Sequence, residues 1–512
     1  MKSEGNSNSM MEQATRLNKR KVIAGIQQKI DTMSPMQTQA GGIHGCVVYS
    51  IYEHFFYKAA QHGEMLRTYP LLLLSVEPID KLQTFRLNIR RGVTFHNGDR
   101  LTSKDVMASI EAYSSTASIY DHFRDVTKMS MVDDHTLDMT WKENTLTNLT
   151  YLRHKRLPKI YSSRFLDSKG PAALESEGIG TGPMSLEEYV PGERVVLKRF
   201  PDYWGRKLSE QEKGPYQRDG GNIEELTIVY IAEPDAQVSA LKKGEVDLLM
   251  MAEHRKVGEL KESPNIQLVS SGPVDPVPLY INSLYKPLSD TRVRQAINYA
   301  IDREKILGLF AGLVQLAQGV LQPTNIGYDP KMTNYSFDPS KAKTLLNDAG
   351  YRDGFDITYA HAGRPVSQRL SSQITGMLQS VGLNAKVAEM DTKDYEKVTY
   401  DPNQTSIHLF SQVKAYDDES IQYFDYWHTK RRVRAAMDHP IIDELMDRVR
   451  TNPDEEARAQ IYREASKYVM DNALMIWLLW MVVYSAATTK LKLVRWWGEG
   501  GYMPYMTSVI NS

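Results

Sequence analysis

Twelve histidines, one cysteine and 63 acidic side chains supply the groups from which acid–base, metal or nucleophilic chemistry could be built. Their spacing does not support it. A metallohydrolase helix would show HExxH, an acyl-transfer elbow GxSxG and a nucleotide loop a Gly-rich turn ending in GK[ST]; none is present. Gly178-Ile-Gly-Thr-Gly-Pro has the glycines of a phosphate loop, but Pro183 follows at once, so a structural turn is expected. The pairs Asp133-Asp134 and Asp417-Asp418 place carboxylates on neighbouring residues, which point apart and mark turns rather than a general acid and base. The histidines show no metal-ligand spacing. Cys46 stands alone between Gly45 and Val47, which excludes an internal disulfide and a CxxC centre and predicts a small buried hydrophobe. Catalysis, a metal and a cofactor are therefore not expected. Binding is the remaining chemistry, and 29 Tyr and 7 Trp offer aromatic walls for it.

The elements that would position such a site follow from composition and periodicity. At 512 residues, 41% hydrophobic and 24% charged, the chain is long enough for two or three domains of ordinary soluble character. Lys+Arg of 62 against Asp+Glu of 63 leaves no basic surplus for nucleic acid. The longest apolar run, Ala473–Val483, is too short to span a bilayer and predicts a buried strand or helix end.

Residues 1–19 are polar and predict a disordered lead-in. Lys21 onward predicts a first strand, and Val47 to Tyr57 a helix. Phe85, Leu87 and Ile89 alternate with polar residues, the period of a half-buried strand. Asn97-Gly98 predicts a tight turn with positive φ, and Thr102 with Asp105 a reciprocally capped helix. Thr291–Ile301 carries one apolar stripe behind the cap Asp290, Asp302 caps a second helix ending near Gly312, and Asp338-Pro339 opens a third. Phe355–Ala360, Gln368–Val381 and Asn384–Met390 read strand, helix, strand, which implies parallel pairing. Helices are expected at Pro440–Arg450 and Asp454–Asn472. Arg292, Arg294 and Arg303 are expected to be solvated or paired rather than ligand-binding.

Five segments in order are FRLNIRRGVTFHNGDRLTSKDV (Phe85–Val106), GTGPM (Gly180–Met184), FPDYWG (Phe200–Gly205), ALKKGEVDLL (Ala240–Leu249) and YINSLYKPLSDTRVRQAINYAIDREKI (Tyr280–Ile306). Together they closely resemble the family 5 (cluster C) solute-binding proteins of ABC importers for oligopeptides, dipeptides, nickel chelates or opine-like solutes. The resemblance extends over roughly Arg20 to Ser512. It implies a two-lobed α/β fold of the periplasmic-binding-protein type (type II) with an extra inserted subdomain. Lobe one would comprise about 20–48, 180–272 and 484–512, the inserted subdomain 49–179, and lobe two 273–483. The implied function is an extracytoplasmic receptor, expected to be monomeric, that closes by hinge motion on a small polar solute (peptide, opine-like or sugar-like) in an interlobe cleft. Its partners would be ABC permease subunits in the membrane and, through them, two ATPases. Family members normally carry a secretory leader, and none is visible in the first twenty residues. That departure keeps a second reading open, a cytoplasmic ligand-sensing domain of a transcriptional regulator.

The resemblance also implies ligand positions. Arg364-Pro365 looks like the lobe-two Arg-Pro that grips a ligand carboxylate in dipeptide binders, a task suited to the bidentate guanidinium fork. The register there needs a gap, which leaves Arg369 as a rival. In Ser411–Phe424 the relatives carry a Trp-x-Ala-Asp-Tyr-x-Asp-Pro pattern whose first Asp holds a peptide's amino group. Without a gap, Ala415 falls at that Asp, Tyr416 keeps the aromatic, and the ammonium anchor is missing. A slip of one or two residues gives the role to Asp417 instead.

Overall fold

The structure is a computed structural model. It describes residues 11–35, 42–59, 67–116, 122–152, 158–209, 221–310, 313–363, 365–391, 394–395, 397–398, 406–409, 424, 427–429, 439–493 and 508–510. The chain divides into two compact units. One comprises Met1–His62, Leu66–Ser271 and Val483–Ser512, and the other includes Gly272–Val482. The strands Ile266–Ile281 and Met475–Thr488 each carry the chain from one unit into the other.

In the first unit, Lys21–Ile26 runs parallel between Glu225–Tyr230 and Leu248–Leu249. Its Val22, Ala24 and Ile26 are buried in alternation, as a strand with one face on the core requires. Antiparallel Arg194–Arg199 and Met184–Val190 extend the sheet beyond Glu225–Tyr230. The carboxylate of Asp247, one residue before Leu248, is fully buried and accepts from Ile23 N at 2.8 Å and Gln13 Nε2 at 3.0 Å. Arg16 Nη2 closes an ion pair with it at 2.8 Å. Of the lead-in expected to be disordered, residues 11–18 are helical and Leu17 is buried, while residues 1–10 lie outside the described residues. Its polar composition was misleading because Gln13 and Arg16 are donors to a buried anion, which must be paired to be tolerated.

The helix expected over Val47–Tyr57 is instead Gly42–Ile51, followed by the strand Phe56–Ala59. The Ile51 carbonyl is taken by Gly182 N at 2.8 Å. A Cβ at Gly180 would lie 2.1 Å from Ile51 O, and one at Gly182 2.5 Å from Ser50 O. The Gly-Thr-Gly-Pro segment is thus a loop whose backbone packs directly on a helix end, and its glycines are needed for that approach.

A second, antiparallel sheet in the same unit has the order Leu73–Asp80, Thr84–Ile89, Thr136–Trp141, Val126–Asp133. Phe85, Leu87 and Ile89 point into its own core, while Arg86 on the other face makes two 2.8 Å bonds to Asp138 of the neighbouring strand. The turn after Phe95 has only Gly98 at positive φ (87°). Asn97 contributes through its side chain, accepting from Asp99 N at 3.1 Å, so one glycine suffices where two such residues were expected. Asp105 accepts from Thr102 N at 2.8 Å, the reciprocal half of the predicted cap on helix Ser103–Thr116.

In the second unit, Asp356–Ala362 is flanked by parallel Asn384–Met390 and parallel Ile407–Leu409, and Ile407–Leu409 pairs antiparallel with residues 279–281. The predicted caps are present: Asp290 accepts from Arg292 N, Asp302 from Lys305 N and Asp338 from Lys341 N. The helix after Asp302 ends at Gly308, earlier than expected. Arg292 pairs with Asp290 at the surface. Arg294 and Arg303 are buried rather than solvated, and among the described residues neither has an ion-pair partner; both donate to several oxygens. Arg303 donates to the carbonyls of Trp477 (2.8 Å), Asn298 (3.1 Å) and Tyr335 (3.1 Å) and to Asn298 Oδ1 (2.8 Å). Burial pushes its pKa down to about 10. Ala473–Val483 falls largely within the buried strand Met475–Thr488.

Candidate functional site

Strand Asp356–Ala362 ends in Gly363-Arg364 and opens directly into helix Pro365–Ser380. Its parallel neighbour Ile407–Leu409, in register Tyr359↔Ile407 and Ala360↔His408, leads into the Ser411–Phe424 segment. Two stretches that are about fifty residues apart in sequence therefore leave adjacent strands at the same, carboxyl edge. In open α/β sheets that edge is where ligands are held, because helix N-termini and loops converge there. Arg364, Tyr416 and Asp417 themselves, with Ala415, lie outside the described residues. Arg369, the rival of Arg364, is described: it donates to Leu309 O at 3.3 Å, and its guanidinium lies 5.4 Å from the Phe310 ring centroid.

At this edge the strand carries two polar side chains on one face, Tyr359 and His361, both completely buried. Their rings are 5.8 Å apart at an interplanar angle of 50°. His361 Nδ1 lies 3.1 Å from Ala362 O. A carbonyl can only accept, so Nδ1 carries a proton; with a single ring proton, Nε2 is then the acceptor nitrogen. Neither that Nε2 nor Tyr359 Oη has a hydrogen-bond partner among the described residues. Burial holds the Tyr359 phenol protonated, its pKa raised well above the usual value.

Aromatic residues gather on the elements that follow. Phe424 stacks on Tyr462 with centroids 5.9 Å apart, and Trp427 lies 6.4 Å from Phe424. Trp480 is buried in the same cluster, and its indole N–H has no acceptor among the described residues. Among the described residues no group of acidic, His or Cys side chains is arranged to hold a metal ion.

The sequence motifs of the first unit play another part. In Phe200–Gly205, Tyr203 Oη and Trp204 Nε1 donate to the buried Glu53 carboxylate at 2.9 and 2.8 Å, joined by Thr181 Oγ1 at 2.9 Å. The Arg90 guanidinium lies 4.7 Å from the Trp204 ring centroid. Asp133 and Asp134 form a turn, as expected: Asp133 accepts from His135 N, and the Asp134 carbonyl accepts from Ser103 N. Sequence reasoning missed Glu53 and His361. The available signals were a lone acid in the aromatic run Tyr49–Tyr57 and a lone histidine in an otherwise apolar strand end.

Residues 67–432 match the family described as bacterial extracellular solute-binding proteins, family 5 middle region. The glutathione-binding protein GsiB of Salmonella choleraesuis is 27% identical over 320 residues, 60% of this chain. The chain spans 58% of that relative's length. A dipeptide-binding protein of Escherichia coli is 25% identical over 457 residues, covering 80% of each chain. Among solved structures, HbpA2 of Haemophilus parasuis superposes with a TM-score of 0.81 at 20% identity, over 96% of this chain and 99% of that one. The likeness to that structure establishes the mixed α/β fold over nearly the whole chain.

Proposed function

The chain belongs to the family 5 bacterial extracellular solute-binding proteins, and from that premise we propose that it captures a small polar solute, unaltered, for an ABC importer. Peptides, including glutathione-like ones, and opine-like anions are the favoured class. In this reading Arg364 serves as the carboxylate anchor, and Tyr416 and Asp417 are further ligand-binding residues. The single observation that carries this is the parallel pairing of Asp356–Ala362 with Ile407–Leu409, which starts both predicted ligand segments from one sheet edge. A family made of solute binders supports the same reading.

Delivery would be to permease subunits in the membrane, with the receptor acting outside the cytoplasm. None of the described helices is long and apolar enough to cross a membrane itself. Residues 49–179 act as a subdomain, a reading supported by their own four-stranded antiparallel sheet.

The test is a thermal-shift screen of di- and tripeptides, glutathione, opines, oligosaccharides and metal chelates. A solute present at 100 times its Kd should stabilise the protein by about 2.7 kcal/mol. Arg364→Ala should abolish the shift for carboxylate solutes. A panel without a single shift defeats the receptor reading, and an unchanged shift in Arg364→Ala removes that residue from the site.

A further inference from the structure

His361 is the penultimate residue of strand Asp356–Ala362, just before the connection to helix Pro365–Ser380. Nδ1–H is committed to the Ala362 carbonyl at 3.1 Å, which fixes both the tautomer and the ring orientation. The remaining atom, Nε2, is an acceptor with nothing to accept among the described residues, on a side chain with 0% exposure. Buried polar groups are hydrogen-bonded in the great majority of cases, so such an acceptor is a candidate to take a donor from a ligand. It is not isolated. Tyr359 Oη, two residues earlier on the same strand face, is also unpartnered, and so is Thr375 Oγ1 on the helix Pro365–Ser380. That helix shares a core with the strand through Leu370, Ile374 and Tyr359. Among the described residues, one strand and the helix that follows it thus hold three buried polar atoms without a partner, and residue 364 lies between the two elements in sequence.

We propose that His361 is a specificity-determining residue of the solute site, its Nε2 accepting a hydrogen bond from an N–H or O–H of the bound solute. The inference rests on the reading of Arg364 as carboxylate anchor. Residues 361 and 364 are three positions apart, so their Cα atoms are separated by at most roughly 10 Å, a span that a dipeptide-sized molecule bridges. The solute class is therefore a carboxylate that also carries an N–H or O–H donor within that distance, as peptides and hydroxy acids do. An ester isostere lacking the donor would leave the acceptor buried and unpaired, and sites of this kind reject such analogues strongly.

The probes are alanyl-alanine and alanyl-lactate, which share the carboxylate and the amino group and differ in the amide N–H. Calorimetry on the full chain should show alanyl-alanine binding at least tenfold tighter. His361→Phe, which keeps a ring but removes the acceptor, should bring the two within about twofold, and His361→Gln, whose amide oxygen accepts, should restore part of the difference. In the wild type the imidazole ¹⁵N resonance of Nε2 should move on adding alanyl-alanine and stay in place with alanyl-lactate. A folded His361→Phe protein that discriminates as the wild type does overturns the proposal. If His361→Phe does not fold, an Nε2 resonance unmoved by alanyl-alanine overturns it alone. A wild type that binds neither probe but responds to another solute of the screening panel removes His361 and leaves the receptor reading standing. Silence across the whole panel removes both.

Discussion

Trp204 Nε1 donates to Glu53 at 2.8 Å across 151 positions of sequence, and Tyr203 Oη reaches the other carboxylate oxygen at 2.9 Å. The two aromatic residues of Phe200–Gly205 are thus held by one buried anion on the segment following helix Gly42–Ile51. The motif ties the first unit together; it does not face a ligand through these atoms. Glu53→Ala should cost about 3 kcal/mol or more in urea unfolding, since it strands several buried donors at once. Solute affinity, measured on the folded fraction, should change far less than stability.

Asp247 makes a second such tie, to the N-terminal helical segment. Arg16→Ala removes the ion pair at 2.8 Å and should destabilise by about 1–2 kcal/mol. Asp247→Ala should cost more, because Gln13, Arg16 and Ile23 N all lose their acceptor. Deleting residues 1–19 should resemble Arg16→Ala or exceed it, measured as the shift in urea midpoint. A deletion with no effect on the midpoint would contradict the latch.

Arg303 tests whether a buried cation without a carboxylate partner can be structural. Lysine cannot reach several carbonyls with one ammonium, whereas the guanidinium fork does so here. Arg303→Lys and Arg303→Met should each cost about 3 kcal/mol, with lysine no better than methionine. If lysine restores wild-type stability, the charge matters and the fork does not.

Acid should weaken the first unit through His96. Its Nε2–H donates to Gly182 O at 2.9 Å, while Nδ1 faces the Gly180 N–H at 3.4 Å. Burial, the larger influence, holds its pKa below 6.5 although the Gly182 and Gly178 carbonyls nearby favour the protonated ring. The unfolded chain therefore takes up the proton first. Stability is complete above pH 6.5 and declines as pH falls toward the folded-state pKa, by up to about 1.4 kcal/mol per unit. His44, also lowered by burial, acts in the same direction. Urea midpoints from pH 7.5 to 5 should fall, and His96→Gln should flatten the slope. An equal slope in that variant would assign the effect elsewhere.

Local chemistry made much of the fold legible. Asp290, Asp302 and Asp338 cap helices two or three residues away, and Phe85, Leu87 and Ile89 declare a strand by alternation alone. The family resemblance was equally readable, because its segments are contiguous. The same segments gave no hint of what their side chains and glycines pack against. The glycines of Gly180–Met184 answer to Ile51, Trp204 answers to Glu53, and Arg303 answers to Trp477.

The amino-acid order by itself determined which stretches are helix or strand, that no catalytic constellation is built, and that the chain has the motifs of a solute binder. Tertiary structure decided which side chains work together. It brought the strand before Arg364 beside the strand before Tyr416 and Asp417, paired Arg16 with Asp247 across 231 positions, and left His361 with Nδ1 at a carbonyl and Nε2 without a partner among the described residues. Caps and alternation act over a few residues, so sequence spacing encodes them. A buried charge or lone pair is balanced by whatever the fold brings within 3 Å of it, and no spacing along the chain records that distance.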